Sequence, residues 1–539
     1  MKDNNKTWDY IIIGSGFGGS VSAMRLVEKG YSVLVLERGK RFYDSDYPKS
    51  NWAFWKYLWM PSLRCFGFMQ LILFKGLFVF SGGGVGGGSL VYAAVLMEPE
   101  DSFFESFSWI PQVDWKAQLA PHFKTARKML GVASNPRLTP ADKTLEQITK
   151  ESENIKDFRP TDVGVFFGDP DAVVPDPYFN GKGPSRSGCN FCGGCMVGCR
   201  YNAKNTLPKN YLYFAENAGV EIRPEREVIK IRQLANVQSD RARFEIQYKS
   251  STALFHRPVS VVRSRNVVVA AGVLGTVELL LNCRDVLKTL PDLSQQLGRR
   301  VRTNSEAFVG AFNTKMREDH SKGIAISSIV RADNDTQIEP VRFSDKSSLI
   351  FWILSTPIIK SGGIFIWRLI KIILEMVKKP SEFINLKIKP GLTKRGIALM
   401  IMQTKDNLMS LGLGRNLYTF FKRGLVPKHD EQKLIPVDID LGYQVVNDFS
   451  HKIKGFSIGT VPEELFNAPT TAHMLGGCLM GTSEENGVID ENFQAFNYPG
   501  LYIIDGSVIP ANPGVNPSLT ITAFAEYAMS RIPERANTE

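Results

Sequence analysis

Residues 9–37 constrain the fold of this chain more than any other stretch. Asp9-Tyr10-Ile11-Ile12-Ile13 begins an apolar strand that runs straight into Gly14-Ser15-Gly16-Phe17-Gly18-Gly19. A helical stretch follows from about residue 20 to Lys29, Gly30 stops it, residues 31–36 read as a second strand, and Glu37 stands at its end. Strand, glycine turn, helix, strand and acid in this order build a dinucleotide site. Gly14 permits the tight turn, Gly16 lets the backbone approach a pyrophosphate, and Gly19 lets helix and strand pack closely. The helix N-terminus offers free N–H groups and positive partial charge to phosphates. Glu37 is placed to accept hydrogen bonds from ribose hydroxyls. Whether the dinucleotide is FAD or NAD is left to the rest of the chain.

At 539 residues the chain is too long for one simple core and suits two large domains. The formal charge of +11 is spread along the chain without a basic tail or a nucleic-acid motif, so no nucleic-acid partner is expected. It reads either as a solvated basic surface or as attraction to anionic lipid or an acidic partner. The start lacks the basic, apolar and small-residue pattern of a secretory signal, which predicts a cytoplasmic protein. Two apolar stretches stand out: residues 52–80, and residues 349–377, the latter broken by Pro357, Gly362 and Gly363. Neither reads as a spanning helix. Both suit lids over an apolar pocket or faces in peripheral contact with a membrane.

Three further segments carry cofactor signals. Residues 81–90, SGGGVGGGSL, imply a backbone pressed against a flat or anionic ligand. Residues 267–281, VVVAAGVLGTVELLL, read as a buried strand, a small-residue turn and a helix start, with Gly272 near the cofactor. The C-terminal third holds AHMLGG from Ala472, LYIIDGS from Leu501 and GVNP from Gly514, closed by a helix from Ser518 to about Arg531. Pro517 and Ser518 suit a helix start.

Taken together, the Gly14–Gly19 fingerprint, GVGGGSLV, AAGVLGTVELL, AHMLGGC, IDGSVIP and GVNPSLTITAFAE resemble the glucose–methanol–choline (GMC) oxidoreductases, and their order and spacing resemble the cholesterol oxidase branch. The resemblance covers nearly the whole chain. It implies an α/β fold, with a Rossmann-like FAD-binding domain and a discontinuous α+β substrate domain built on an antiparallel sheet. The expected division is residues 1–100, 186–300 and 470–539 for the FAD-binding domain, and 101–185 and 301–469 for the substrate domain. It also implies FAD lying along Gly14, Gly16, Phe17, Gly18 and Gly19, with Glu37 at the adenosine ribose and Val228 against the adenine. Gly86, Gly87, Gly88 and Ser89 would line the flavin, Asp505 with Gly506 would hold the ribityl or phosphate region, and Asn516 and Pro517 would lie at the ring.

By the same resemblance His473 is the active-site histidine, which takes the proton of a substrate hydroxyl while the adjacent carbon passes hydride to flavin N5, and Asn516 helps to place that hydroxyl. From the residues alone His473 reads better as a satisfied buried histidine. Glu339 resembles a steroid-isomerising glutamate, a carboxylate raised in pKa by an apolar cavity; as structure alone it reads as a loop salt bridge. The implied substrate is a bulky apolar alcohol, a sterol oxidised from 3-hydroxysteroid to 3-ketosteroid, with oxygen or another electron acceptor closing the cycle. The competing reading is a long-chain or other lipid alcohol dehydrogenase using a non-oxygen acceptor. Tyr92, Met474 and residues 349–390 depart from the well-studied secreted enzymes, which puts sterol specificity and isomerisation in doubt but not flavin binding.

Cys189, Cys192, Cys195 and Cys199 have the C-x2-C-x2-C-x3-C spacing of a ferredoxin run. They read either as ligands of an iron–sulfur cluster or Zn, or as structural or redox thiols. A cluster would carry electrons away from the flavin.

Overall fold

The computed structural model describes the chain except residues 1–5, 107–108, 111–112, 153–154, 235–241, 254, 256, 316–317, 360–361 and 537–539. The apolar strand Thr7–Ile13 sits inside a seven-stranded sheet, hydrogen-bonded in parallel to Val33–Leu36 on one side and to Ser260–Val269 on the other. Ile11 and Ile12 are wholly buried. A strand covered on both faces reads as an unbroken apolar run, not an alternating one. Glu221–Arg223 extends the sheet beyond Val33–Leu36; Phe244–Ser250 and Arg226–Gln233 extend it beyond Ser260–Val269. Leu501–Ile503 takes over from Phe244–Ser250 along the last residues of Ser260–Val269. The helices Phe17–Glu28 and Ser518–Ser530 pack together, and Trp115–Met129 packs on the latter. An ion pair of 2.8 Å between Arg25 and Glu526 pins the first two.

The first helix starts at Phe17, three residues before the sequence pattern places it. Gly18 and Gly19 are in fact helical, because the first helical turn must lie against the strand. A Cβ on Gly19 would sit 2.1 Å from the Gly14 carbonyl oxygen. The second strand begins at Val33, not Tyr31, since the Tyr31 N–H is used to close the helix end on Leu26.

A second seven-stranded sheet is antiparallel in every pairing. Its order is Ser355–Thr356, Gly455–Thr460, Ala307–Asn313, Gly396–Gln403, Thr336–Val341, Ser328–Arg331, Lys156–Pro160. Successive side chains alternate between its faces. Val309, Ile338, Leu399 and Ile401 pack under the helices Pro140–Glu151 and Asp440–Lys452. Their neighbours Phe308, Ala398 and Met400 face a cavity instead. Residues 349–377 fold as a short helix Leu349–Leu354, a strand Ser355–Thr356 and the start of a helix Phe365–Lys378. No helix among the described residues is long and apolar enough to cross a membrane.

Candidate active site

The carboxyl ends of the first sheet's parallel strands and the free face of the second sheet line a cavity of about 830 Å³. In open α/β sheets this edge is where ligands bind. The cavity runs from Glu37 and Val228 to His473 and Asn516. Of the residues expected at the cofactor, Gly14, Gly16, Phe17, Gly18, Glu37, Gly87, Gly88, Val228, Gly272, Asp505, Gly506, Asn516 and Pro517 lie on its wall. Gly19, Gly86 and Ser89 do not. Gly19 serves the helix–strand contact. Gly86 adopts φ +105° and donates its N–H to Ser15 Oγ, while Ser89 Oγ bridges the Gly86 carbonyl and the Leu207 N–H. These residues hold the glycine turn from behind.

The nucleotide half suits an extended dinucleotide. Gly14 sits at φ +97°, where side chains are strained, while a Cβ on Gly16 would meet no protein atom because that position opens into the cavity. No side chain caps the N-terminus of Phe17–Glu28, which leaves its first N–H groups for phosphate oxygens. Glu37 accepts from the Ser15 N–H, Ser15 Oγ and the Gly39 N–H, which fixes its carboxylate at the cavity wall. The strand Arg226–Gln233 bulges between Val228 and Lys230, so backbone that would otherwise serve the ladder borders the cavity at Val228 and Ile229. Asp505 accepts from the Gly272 N–H, Thr276 Oγ1 and the Ser507 N–H and so holds the turn at Gly272; burial pushes its pKa up.

The far end of the cavity is apolar, walled by Phe80, Phe308, Ile326, Phe343, Phe351 and Met400 among others. His473 and Asn516 are among the polar residues that line the cavity. His473 follows the strand Thr470–Thr471, which pairs with Leu77–Gly82. Its Nδ1 lies 2.5 Å from Oε1 of Glu306, so Nε2 is the ring nitrogen left for a ligand. Glu306 is fully buried, and its other oxygen accepts from Thr471 Oγ1 and from the Ala472 N–H at 3.0 Å. Glu306 is the functional residue that sequence reasoning missed. It ends a run, Arg302-Thr303-Asn304-Ser305-Glu306, in which all five residues are fully buried. Asn304 in the same run donates to the Val515 carbonyl and accepts from the Gly514 N–H, bracketing the turn that presents Asn516. The one signal in the sequence is five polar residues set directly before an apolar strand.

Glu339 lies in the strand Thr336–Val341, not in a loop, and is fully buried with no ion-pair partner among the described residues. The loop salt-bridge reading therefore falls. Burial pushes its pKa up to about 8; the neighbouring Asn516 amide pulls it down and the Glu306 charge adds to the rise. Glu339 is not on the cavity wall and stands behind Asn516 as Glu306 stands behind His473.

The cysteines do not assemble as a metal site. Among the described residues no group of three or more His, Cys, Asp or Glu side chains is placed to hold a metal. Burial raises the pKa of Cys189 and Cys192 and brings that of Cys195 to about 11. The loop is a buttress. Buried Lys204 donates to the Cys195, Leu90 and Tyr92 carbonyls, and the Tyr92 hydroxyl donates to the Asn205 carbonyl at 2.5 Å. Tyr92 itself forms part of the cavity wall.

Comparison with known proteins accords with this geometry. Residues 457–525 match the model of the GMC oxidoreductase family, and residues 12–43 match that of an NAD(P)-binding Rossmann-like domain. The chain is 39% identical to a cholesterol oxidase of Acinetobacter baumannii, over 100% of this chain and 97% of that one. It is 40% identical to a cholesterol oxidase of Mycobacterium tuberculosis (strain CDC 1551 / Oshkosh), over 99% and 92%. A long-chain-alcohol oxidase of Arabidopsis thaliana is 24% identical over 97% of this chain and 67% of its own length. Among solved structures, pyridoxine 4-oxidase from Mesorbium loti superposes with a TM-score of 0.60 at 14% identity, covering 97% of this chain and 99% of the other. That likeness establishes the fold alone.

Proposed function

This chain belongs to the GMC oxidoreductases, FAD-dependent enzymes acting on CH–OH donors, and from that premise we propose that it oxidises the 3-hydroxyl of a sterol to the ketone, with oxygen as the final acceptor. One observation carries the reading: an imidazole buttressed by a buried carboxylate enters an apolar cavity beside an asparagine amide. The cholesterol oxidase relatives, similar over their full length, point to the substrate class.

Bound FAD supplies the acceptor for the hydride that leaves the carbinol carbon. Gly14–Gly18, Glu37 and the bulge at Val228 would hold it. The residues of the chain do the rest. His473 Nε2 accepts the proton of the hydroxyl, and Glu306 at Nδ1 keeps the ring in the tautomer that can do so and stabilises the positive charge it gains. Asn516 orients the hydroxyl. Phe308, Phe351 and Met400 bury the apolar body of the substrate and keep water from the reacting carbon. Glu306 and Glu339 are positioning residues that act through His473 and Asn516. All seven cysteines are free thiols, which supports a reducing, intracellular setting. A substrate that partitions into bilayers implies peripheral contact with a membrane.

Anaerobic titration with cholesterol and with hexadecanol, following the visible absorbance of the flavin, tests the proposal. Bleaching by the sterol at low concentration is expected. Bleaching by hexadecanol alone would move the enzyme to the long-chain alcohols, and bleaching by neither would overturn the reading.

A further inference from the structure

The helix Phe365–Lys378 is built inside out. Its buried residues are Arg368 and Ile372, and the arginine donates to the Glu463, Glu464 and Gly362 carbonyls. Its outward side carries Ile366, Trp367, Leu369, Ile370, Ile373 and Val377, with Ile366 59%, Trp367 60% and Val377 70% exposed. An ordinary surface helix turns such a stripe to the core. A polar anchor inside and an apolar stripe outside leave the stripe facing the medium, and a contiguous patch of this kind marks an interaction surface.

The patch continues beyond the helix toward the cavity. On the helix Leu349–Leu354, Ile350, Phe351 and Leu354 line the cavity while Trp352 and Ile353 are exposed. Trp352 packs against Trp52, itself exposed, with ring centroids 6.1 Å apart and planes tilted 45°, and donates its indole N–H to the Lys387 carbonyl in the next helix, Pro380–Lys387. The wall of the substrate end and the apolar patch are therefore two sides of one helix.

Charge identifies the occupant. Apart from the buried Arg368, residues 349–389 contain six Lys against two Glu, a net of +4. Lys371, Lys378, Lys379 and Lys389 are exposed. The two acids are already taken, Glu375 lying 2.7 Å from Lys378 and Glu382 3.9 Å from Lys379. An apolar stripe with tryptophan, rimmed by lysines on a helix too short to span, matches a bilayer interface bearing anionic headgroups. We propose that residues 349–388 dock on the surface of an anionic bilayer, so that the cavity takes up its substrate from the lipid phase without exposing it to water. The proposal rests on the sterol reading for its purpose but not for its evidence, which is the surface itself.

The test uses the flavin-loaded enzyme and sterol-free vesicles of phosphatidylcholine with about 30% phosphatidylserine, in a sedimentation assay. The wild type should sediment, with affinity falling as salt rises. Ile366→Glu/Ile373→Glu should bind at least about tenfold more weakly yet oxidise sterol in detergent micelles at the wild-type rate. Lys371→Gln/Lys378→Gln/Lys379→Gln should lose binding to the anionic vesicles, at up to about fivefold per lysine, and retain what binding it has to phosphatidylcholine alone. Vesicle binding and micellar turnover fail independently, so a lost substrate assignment is told apart from a lost docking surface. A wild type that stays in the supernatant, or a double glutamate variant that sediments like the wild type, overturns the proposal. A lipid-free dimer that the double variant dissolves would show that a second copy covers the face and would overturn it too.

Discussion

Replacing Glu306 by Gln tests the arrangement of the site with the least change of shape. The carboxylate has two occupied oxygens: Oε2 accepts from Thr471 Oγ1 and the Ala472 N–H, and Oε1 lies 2.5 Å from His473 Nδ1. An amide has one acceptor and one donor end. The Ala472 N–H can only donate, so the amide oxygen goes there and the NH2 end is left facing Nδ1. That forces the imidazole proton onto Nε2, the nitrogen that must be bare to take a proton. The variant also loses the charge opposite the imidazolium. At 2.5 Å a unit pair is worth roughly 7 kcal/mol at an effective dielectric near 20, and the part retained by the amide dipole and by solvent leaves a net loss of about 4 kcal/mol, a factor of roughly 10³ in rate. The assay is the rate of anaerobic flavin bleaching at saturating sterol, measured from pH 5 to 9 by stopped flow. Glu306→Gln should keep its flavin and its substrate affinity, lose about 10³ in that rate, and recover part of it as pH rises and hydroxide replaces the missing base. A bleaching rate within threefold of the wild type across that range would refute the role given to Glu306 and the tautomer argument with it.

Other expectations follow from the same geometry. His473→Gln should bind FAD normally and lose about 10²–10⁴ in turnover, read by bound-flavin absorbance and steady-state kinetics. Burial raises the Glu339 pKa to about 8 from an ordinary 4.5, so in the folded protein it stays protonated after the unfolded chain has ionised. Its neutral form supports folding below about pH 4.5, and that support is lost as pH rises through 8, a few kcal/mol in all. Glu339→Gln should therefore melt at a temperature that gains on the wild type between pH 5 and 9, a gain seen by scanning fluorimetry. Gly16→Ala should fold and lose FAD affinity, because the new methyl meets only the cavity; Gly19→Ala should be expressed poorly or melt far lower, because its methyl would meet the Gly14 carbonyl at 2.1 Å. Flavin content and melting temperature separate the two.

The nucleotide half was legible because its logic is local. Gly14, Gly16, Gly19 and Glu37 lie within one strand–helix–strand unit, and each glycine does in space what its position in that unit requires. Gly86 and Ser89, expected at the flavin, lie just off the cavity wall beside Gly87 and Gly88. A glycine-rich run marks backbone that approaches something, and sequence does not distinguish a residue on the cavity wall from one that holds the wall up.

Glu306 was invisible because its meaning is made by contacts 165 or more residues away, to Thr471, Ala472 and His473. Read along the chain, Arg302–Glu306 is a polar run, and polar runs are ordinarily solvated loops. Burying five such residues costs heavily unless every one finds partners. Arg302 and Leu475 exchange backbone hydrogen bonds, Thr303 donates its N–H to Asn407, Asn304 brackets the Gly514–Val515 turn, and Glu306 holds the 471–473 turn. The two motifs that the sequence picked out separately, AHMLGG and GVNP, are thus registered against each other through this one run. The same reasoning reads the helix Phe365–Lys378 in reverse. There a buried arginine and an exposed apolar stripe break the rule that sorts polar from apolar, as the five buried polar residues do behind His473.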